Sequence, residues 1–277
     1  MTRLHLAISS FSPIFITRKL AKNFLGDKSQ RSVFSNCSSL TWPMVDELGN
    51  AYRTKKSMPL NICGQGLVVR RRVLEEIGGW PYRTMTEDYE LKLDSLVRGY
   101  TSMYYPHAVL YTEEAVRHSE SFSRRVRWLT GYRQCDRKYK KEIRQRVRKN
   151  HHVGRGEAEY FWGLLPYIIF LLGTVVSVFA GIGFGVFYAT HASNLWATAL
   201  LRLTLMPMLV LYLLLNLFGL LAMAATRDAY RTISMHERIL LLLYNPFYIL
   251  EYLIVYFYCT LHRHRTPEWK QTERNVR

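Results

Sequence analysis

Acidic residues are scarce in this chain: 21 Asp and Glu stand against 38 Lys and Arg, a formal net charge of +17 over 277 residues. Cysteine is scarcer still. Cys37, Cys63, Cys135 and Cys259 are scattered without a Cys-x-x-Cys pair, which argues against a zinc site and against a disulfide framework and leaves reduced thiols in a cytosolic compartment as the simplest reading. The first 20 residues have no long apolar core of the kind a secretory signal requires. His151, His152, His262 and His264 stand among basic residues beside apolar segments, which reads as a solvated interface and not a metal site.

Charge is missing altogether from two long stretches, Phe161 to Thr190 and Leu203 to Thr226, and from a third, Ile239 to Leu261, apart from Glu251. Each exceeds the roughly 20 residues that cross a hydrocarbon core, so the chain reads as an integral, multi-pass protein of the plasma membrane. The run Arg137 to Lys149 holds eight Lys and Arg. Beside an apolar span such a cluster stays cytoplasmic and attracts anionic membrane lipids; no nucleic-acid-binding module accompanies it, so nucleic acid is not an expected partner. The topology carries a conflict. Three full crossings put Arg263, Arg265, Lys270, Arg274 and Arg277 outside, against the positive-inside rule, whereas a third segment broken at Asn245-Pro246 could bend back and keep the tail inside.

Ahead of the spans, residues 1–60 are polar and without sustained period, with one helix expected near Ile16 to Phe24. A strand is expected over Ile62 to Arg70, then a short helix over Arg71 to Ile77 stopped by Gly78-Gly79. Thr86 is a good N-cap for a helix over Glu87 to Arg98 that carries Tyr89, Leu93, Leu96 and Val97 on one face and closes at Gly99. "TSMYYP" and "AVLYTEE" read as two short strands, so the material is α/β. From Ser119 an amphipathic helix with Phe122, Val126 and Leu129 on one face suits a position at the membrane surface.

Glu87 and Asp88 admit two readings. Acids in a helix's first turn complement its dipole, and the same dipole keeps a carboxylate ionised as a proton acceptor. Arg124, Arg125 and Arg127 can likewise be a lipid-facing surface, and Trp128 an interfacial anchor.

Taken together, "GQGLVVRRRVLEEIGGW", "TED" at Thr86 to Asp88 and "RRVRW" at Arg124 to Trp128 resemble the membrane-bound family 2 glycosyltransferases, the group of hyaluronan, cellulose, chitin and poly-N-acetylglucosamine synthases. "RRVRW" stands where that family has QxxRW, 35 residues separate Asp88 from Arg124, and the closing "TPEWKQTER" looks like the family's tail. The resemblance implies a partial GT-A-like α/β glycosyltransferase domain, acceptor-side, over residues 1–135. It is followed by a basic linker at 136–158, α-helical transmembrane segments within 159–262 and a basic tail at 263–277. It makes Asp88 the general base on the acceptor hydroxyl, with Glu87 beside it. Arg127 meets the diphosphate, Trp128 stacks on the acceptor sugar, Arg124 stands in the same substrate-binding motif, and Gly64, Gln65 and Gly66 line the acceptor site.

The implied partners are a UDP-linked nucleotide sugar, carrying a hexose or N-acetylglucosamine, and a glycan or lipid-linked acceptor. The implied cofactor is a divalent cation, Mg or Mn. Yet the chain has no Asp-x-Asp motif, and "LHLAISS" stands where the resemblance would put it. The expectation is therefore an enzyme lacking its nucleotide-binding half, truncated or completed by a separate chain. The runner-up is a non-catalytic subunit or pseudoenzyme of a polysaccharide-synthesis complex, and a third reading is a polybasic lipid-binding protein without sugar chemistry.

Overall fold

A computed structural model describes residues 14–21, 31–150, 165–190 and 195–262. Three strands, β1 (Ile14–Ala21), β2 (Leu67–Val69) and β3 (Ser102–Thr112), form a mixed sheet in the order β2-β1-β3. The central strand runs antiparallel to β2 and parallel to β3. The helix expected near Ile16 to Phe24 is thus a strand where it is described, residues 22–24 lying outside the described part. Pairing with β3 along all of β1 overrides the local pattern.

β2 is shorter than the expected Ile62 to Arg70 because Gly64 (φ 55°) and Gly66 (φ 75°) hold the preceding backbone in left-handed conformations that leave the ladder. β3 is one strand where two were expected. Its register against β1 jumps from Tyr105 to Val109, around Pro106, which has no N–H to give the ladder.

The region up to residue 60 is more helical than its composition implied. Ser32 and Ser35 form a reciprocal capping box (Ser35 N to Ser32 Oγ, 3.1 Å; Ser32 N to Ser35 Oγ, 2.9 Å) that starts α1 (Val33–Pro43). Pro43 does not end the helix; the ladder widens to a π-helical stretch over Met44–Asn50 and resumes as α2 (Ala51–Lys55). Two further helices fall where the sequence put them: α3 (Arg71–Ile77), stopped by Gly78 at φ 80°, and α4 (Glu87–Arg98), stopped by Gly99 at φ 77°.

The stretch expected to be a linker from residue 136 continues α5 (His118–Asn150). Cys135, Tyr139 and Ile143 recur on one face and pack against Leu93, Leu96, Tyr89 and Val97 of α4, so burial holds the helix together. Within the basic run Lys138 pairs with Glu90 and Arg146 donates to the Val97 carbonyl, while Arg137, Lys140, Lys141, Arg144 and Arg148 remain exposed.

Three long helices complete the described chain: α6 (Leu165–Thr190), α7 (Leu195–Ala225) and, after a 3-10 turn at Arg227–Tyr230, α8 (Met235–Leu261). Among the described residues α8 is long and apolar enough to cross a membrane, and α6 and α7 contribute the shorter apolar pieces Phe179–Tyr188 and Leu209–Ala225. The break expected at Asn245-Pro246 does not occur; α8 continues through Pro246. Its Leu241 and Tyr248 pack with Cys37 and Leu40 of α1, and its Val255 and Cys259 with Phe122, Val126 and Leu129 of α5. The apolar face of α5 expected at the membrane surface is therefore occupied by α8. Residues 151–164, the "HASN" turn at 191–194 and the tail 263–277 lie outside the described residues.

Candidate active site

The first turn of α4 carries the two acids. Glu87 is exposed; Asp88 is half-buried, and its Oδ1 accepts the Tyr89 amide at 2.7 Å. A Cβ on Gly64 would stand 3.5 Å from Asp88 Oδ2, so the glycine loop and the carboxylate face each other. Gln65, between the two glycines, is exposed. The loop is tethered from behind: Asn50 donates to the Asn61 carbonyl (3.1 Å) and accepts the Asn61 amide (2.8 Å), while Lys92 of α4 reaches Asn61 Oδ1 at 2.7 Å.

Thr86 occupies the N-cap position without capping by its side chain. Its hydroxyl instead faces Cys135 Sγ at 3.6 Å, because α5 is pressed against this turn. The contact is possible only at Gly131. A Cβ there would meet Thr86 Oγ1 at 2.5 Å, Cγ2 at 2.6 Å and the backbone nitrogen at 2.8 Å. One turn to either side, α5 grips Met85: Arg127 Nη1 donates to its carbonyl (2.9 Å) and Gln134 Oε1 accepts its amide (3.0 Å). The Tyr132 and Tyr89 rings meet at 4.5 Å. Of the residues that sequence reasoning named, the fold sets Gly64 against Asp88 and places Arg127 on the Met85 carbonyl, three residues before Asp88. It adds Gly131 and Gln134, which sequence reasoning missed; a glycine inside a helical pattern was the available signal for close backbone approach.

Glu90 was also missed. It is fully buried, accepts the amides of Arg83 (3.1 Å) and Thr84 (3.0 Å), and pairs with Lys138. Burial pushes its pKa up, but the hydrogen bonds from Lys138 and Thr84 outweigh it and hold the carboxyl below the ordinary glutamate value. It fixes the turn from inside while Asp88 faces the loop.

The three arginines of "RRVRW" go different ways. Arg124 pairs with Glu114 and donates to Ser38 Oγ (2.9 Å). Glu114 is buried and also accepts from Ser38 Oγ (2.5 Å) and Trp42 Nε1 (2.6 Å). Desolvation disfavours the charge on Arg124, but the Glu114 carboxylate beside it prevails and raises its pKa. The guanidinium lies 5.1 Å from the half-buried Trp128 ring, so Arg124 buttresses the aromatic from a buried network. Arg125 is buried between the Tyr248 and Tyr252 rings (4.4 and 5.1 Å) and pairs with Glu251 at 2.5 Å. That explains the acid in the third apolar stretch. Only Arg127 reaches the turn that carries Asp88.

The acids of this turn, as described, do not form a seat for a divalent cation. Asp88 faces Gly64, Glu87 is turned to solvent, and among the described residues no group of three His, Cys, Asp or Glu is placed to hold a metal. A 116-residue stretch is 26% identical to the probable glycosyltransferase YdaM of Bacillus subtilis (strain 168); it covers 42% of this chain and 26% of that protein. Residues 24–258 match the family described as glycosyl transferase family group 2. Because that match takes in the glycine loop, the turn at Asp88 and the arginine helix that grips it, the chain belongs to glycosyl transferase family group 2.

Proposed function

We propose that this chain acts in the transfer of a sugar from a nucleotide-sugar donor to a polysaccharide or lipid-linked acceptor at a membrane, with Asp88 as the general base. The observation that carries this reading is that the Gly64 loop faces Asp88 at one end of the Met85 to Asp88 turn while Arg127 holds the carbonyl at the other. Family membership implies a GT-A-like domain, which is in keeping with a mixed sheet that α4 covers through Leu91.

In the proposed step the acceptor hydroxyl loses its proton to Asp88 as its oxygen bonds to the anomeric carbon, and the bond from that carbon to the diphosphate breaks on the opposite face. One displacement inverts the configuration. Arg127 offers the departing diphosphate a guanidinium anchored through Nη1 on the Met85 carbonyl. Trp128 stacks on the acceptor sugar, and the backbone of Gly64 to Gly66 lines its path. Arg124 acts on Trp128 rather than on substrate, since Glu114 holds its charge. No step is assigned to a cation, because these residues do not seat one. The apolar helices bind the membrane, with the catalytic side cytoplasmic.

A second reading, a non-catalytic subunit, is favoured by one observation: the chain has no Asp-x-Asp pair to hold a metal–diphosphate. The test is turnover of UDP-linked hexoses and N-acetylhexosamines by the purified chain in lipid nanodiscs, wild type against Asp88→Asn, with circular dichroism to confirm folding. A general base contributes on the order of 10²- to 10⁴-fold, so the variant should lose at least about a hundredfold. A variant retaining more than about a tenth of the rate removes Asp88 from the mechanism. A wild-type chain without turnover favours the subunit reading.

A further inference from the structure

The loop that faces Asp88 does not hold itself in place. Gly64 and Gly66 take left-handed φ, and a glycine backbone has more freedom to lose than any other, so the position of the loop has to come from its two ends. One end is the β2 ladder, which begins at Leu67. The other is Asn61, and two side chains to which the proposed reaction gives no part converge on it.

Asn50 meets Asn61 much as a second peptide unit would, donating one hydrogen bond to its backbone carbonyl (3.1 Å) and accepting one from its amide (2.8 Å). A third bond, from Asn50 Nδ2 to Asp46 Oδ1 (3.0 Å), completes the donors of the side-chain amide. Asp46 and Asn50 are both fully buried. They belong to the π-helical stretch after Pro43, where the Ala51 amide reaches the Asp46 carbonyl five residues back. The widened turn rotates Asn50 away from the direction in which α1 would have carried it, and widenings of this kind are frequent at functional sites. From the opposite side comes Lys92, one turn beyond Asp88 on α4, whose ammonium donates to Asn61 Oδ1 at 2.7 Å. The Asn61 carbonyl that takes the Asn50 bond also takes the Cys63 thiol at 3.8 Å, next to Gly64.

We propose that Asn50 and Lys92 are positioning residues of the candidate site. Asn50 fixes where the glycine loop starts, and Lys92 ties that start to the helix that carries Asp88, so that loop and carboxylate move as one body. Both act through Asn61 and not on the acceptor. The two ties differ in strength. Asn50 is buried and holds backbone by two bonds, whereas Lys92 holds a half-buried side chain by one, so Lys92 is the tie that can be cut without unfolding the domain. The proposal rests on the reading of Asp88 and the glycine loop as the acceptor site and adds what keeps the two together. Its test needs no turnover, so it can fail while that reading stands, and the reverse.

Cys63 is the reporter, because Cys37, Cys135 and Cys259 are buried. Its alkylation by iodoacetamide is followed by mass spectrometry in the full chain reconstituted in lipid nanodiscs, for wild type, Lys92→Met, Lys92→Arg and Asn61→Ala, with thermal unfolding of each. Methionine keeps much of the length of lysine and loses its donors. A hydrogen bond from a charged donor favours the closed form by on the order of 10- to 100-fold, so Lys92→Met should raise the Cys63 rate about tenfold with the melting temperature unchanged. Lys92→Arg keeps the charge and the donors and should bring the rate back to the wild-type range. Asn61→Ala should match Lys92→Met, and the two together should add nothing further, since Lys92 acts through the Asn61 side chain. Asn50→Ala strips the backbone bonds and should raise the rate more; if it does not fold, the Lys92 and Asn61 variants decide. A Lys92→Met rate within about threefold of wild type overturns the proposal. So does a raised rate that Lys92→Arg leaves raised, or one shared by Cys135 and accompanied by early melting, which would make Lys92 a support of the whole domain and not of the loop.

Discussion

Gly131→Ala tests whether the approach of α5 to the Asp88 turn is as close as the structure shows. Two effects oppose each other. Alanine inside a helix is favoured over glycine by about 1 kcal/mol. Against that, the new methyl would lie 2.5 and 2.6 Å from Thr86 Oγ1 and Cγ2 and 2.8 Å from its backbone nitrogen, where contact distances are about 3.5–4.0 Å. Thr86 is 3% exposed, and turning its side chain leaves the backbone contact in place. Relief therefore requires α5 and the turn to separate by about 1 Å. Overpacking of this kind costs about 1–3 kcal/mol, and the Met85 bonds to Arg127 and Gln134 are strained with it.

The clash should win by about 1 kcal/mol, lowering the melting temperature in detergent by about 2–4 °C for a domain of this size. Thr86→Ala on the Gly131→Ala background removes two of the three close atoms and should recover part of the loss, a favourable coupling in the double-mutant cycle. A Gly131→Ala protein that melts at or above the wild-type temperature refutes the reasoning, because helix propensity would then have decided the outcome. So does a cycle with no coupling.

Arg124→Gln restores the residue that the QxxRW motif carries, yet it strands Glu114 as a buried charge; a loss of about 3–5 kcal/mol is expected in chemical denaturation, largely recovered by adding Glu114→Gln. Arg125→Ala should cost about 1–3 kcal/mol, since it empties the space between the Tyr248 and Tyr252 rings and removes one of the two partners of Glu251, the other being His118, and a variant as stable as wild type would place that ion pair in water. Glu90 has a folded pKa below its unfolded value, so its stabilising contribution is present above the unfolded carboxyl pKa and is lost as pH falls through the folded one. Acid titration of stability should therefore show a decline below about pH 4.3 that Glu90→Gln flattens, and an unchanged profile in the variant would remove Glu90 as its source.

Local signals carried a good part of this fold. Helices α3 and α4 and their glycine stops follow from spacing and backbone freedom alone, and the apolar face of α4 found its partner in α5 as its period implied. Asp88, Gly64 and Arg127 were named from residue types at short range, and the fold sets Gly64 against Asp88 and Arg127 on the Met85 carbonyl. What the sequence by itself could not determine depended on contacts between distant segments. Pairing with β3 turned Ile14–Ala21 into a strand, and burial against α4 made the basic run past Cys135 a helix. Which of the three neighbouring arginines reaches the turn that carries Asp88 was decided by partners outside the motif: Glu114 takes Arg124, Glu251 takes Arg125, and Met85 receives Arg127. Composition likewise made α8 apolar enough for a membrane, but only the tertiary structure shows that one side of it packs along α1 and α5.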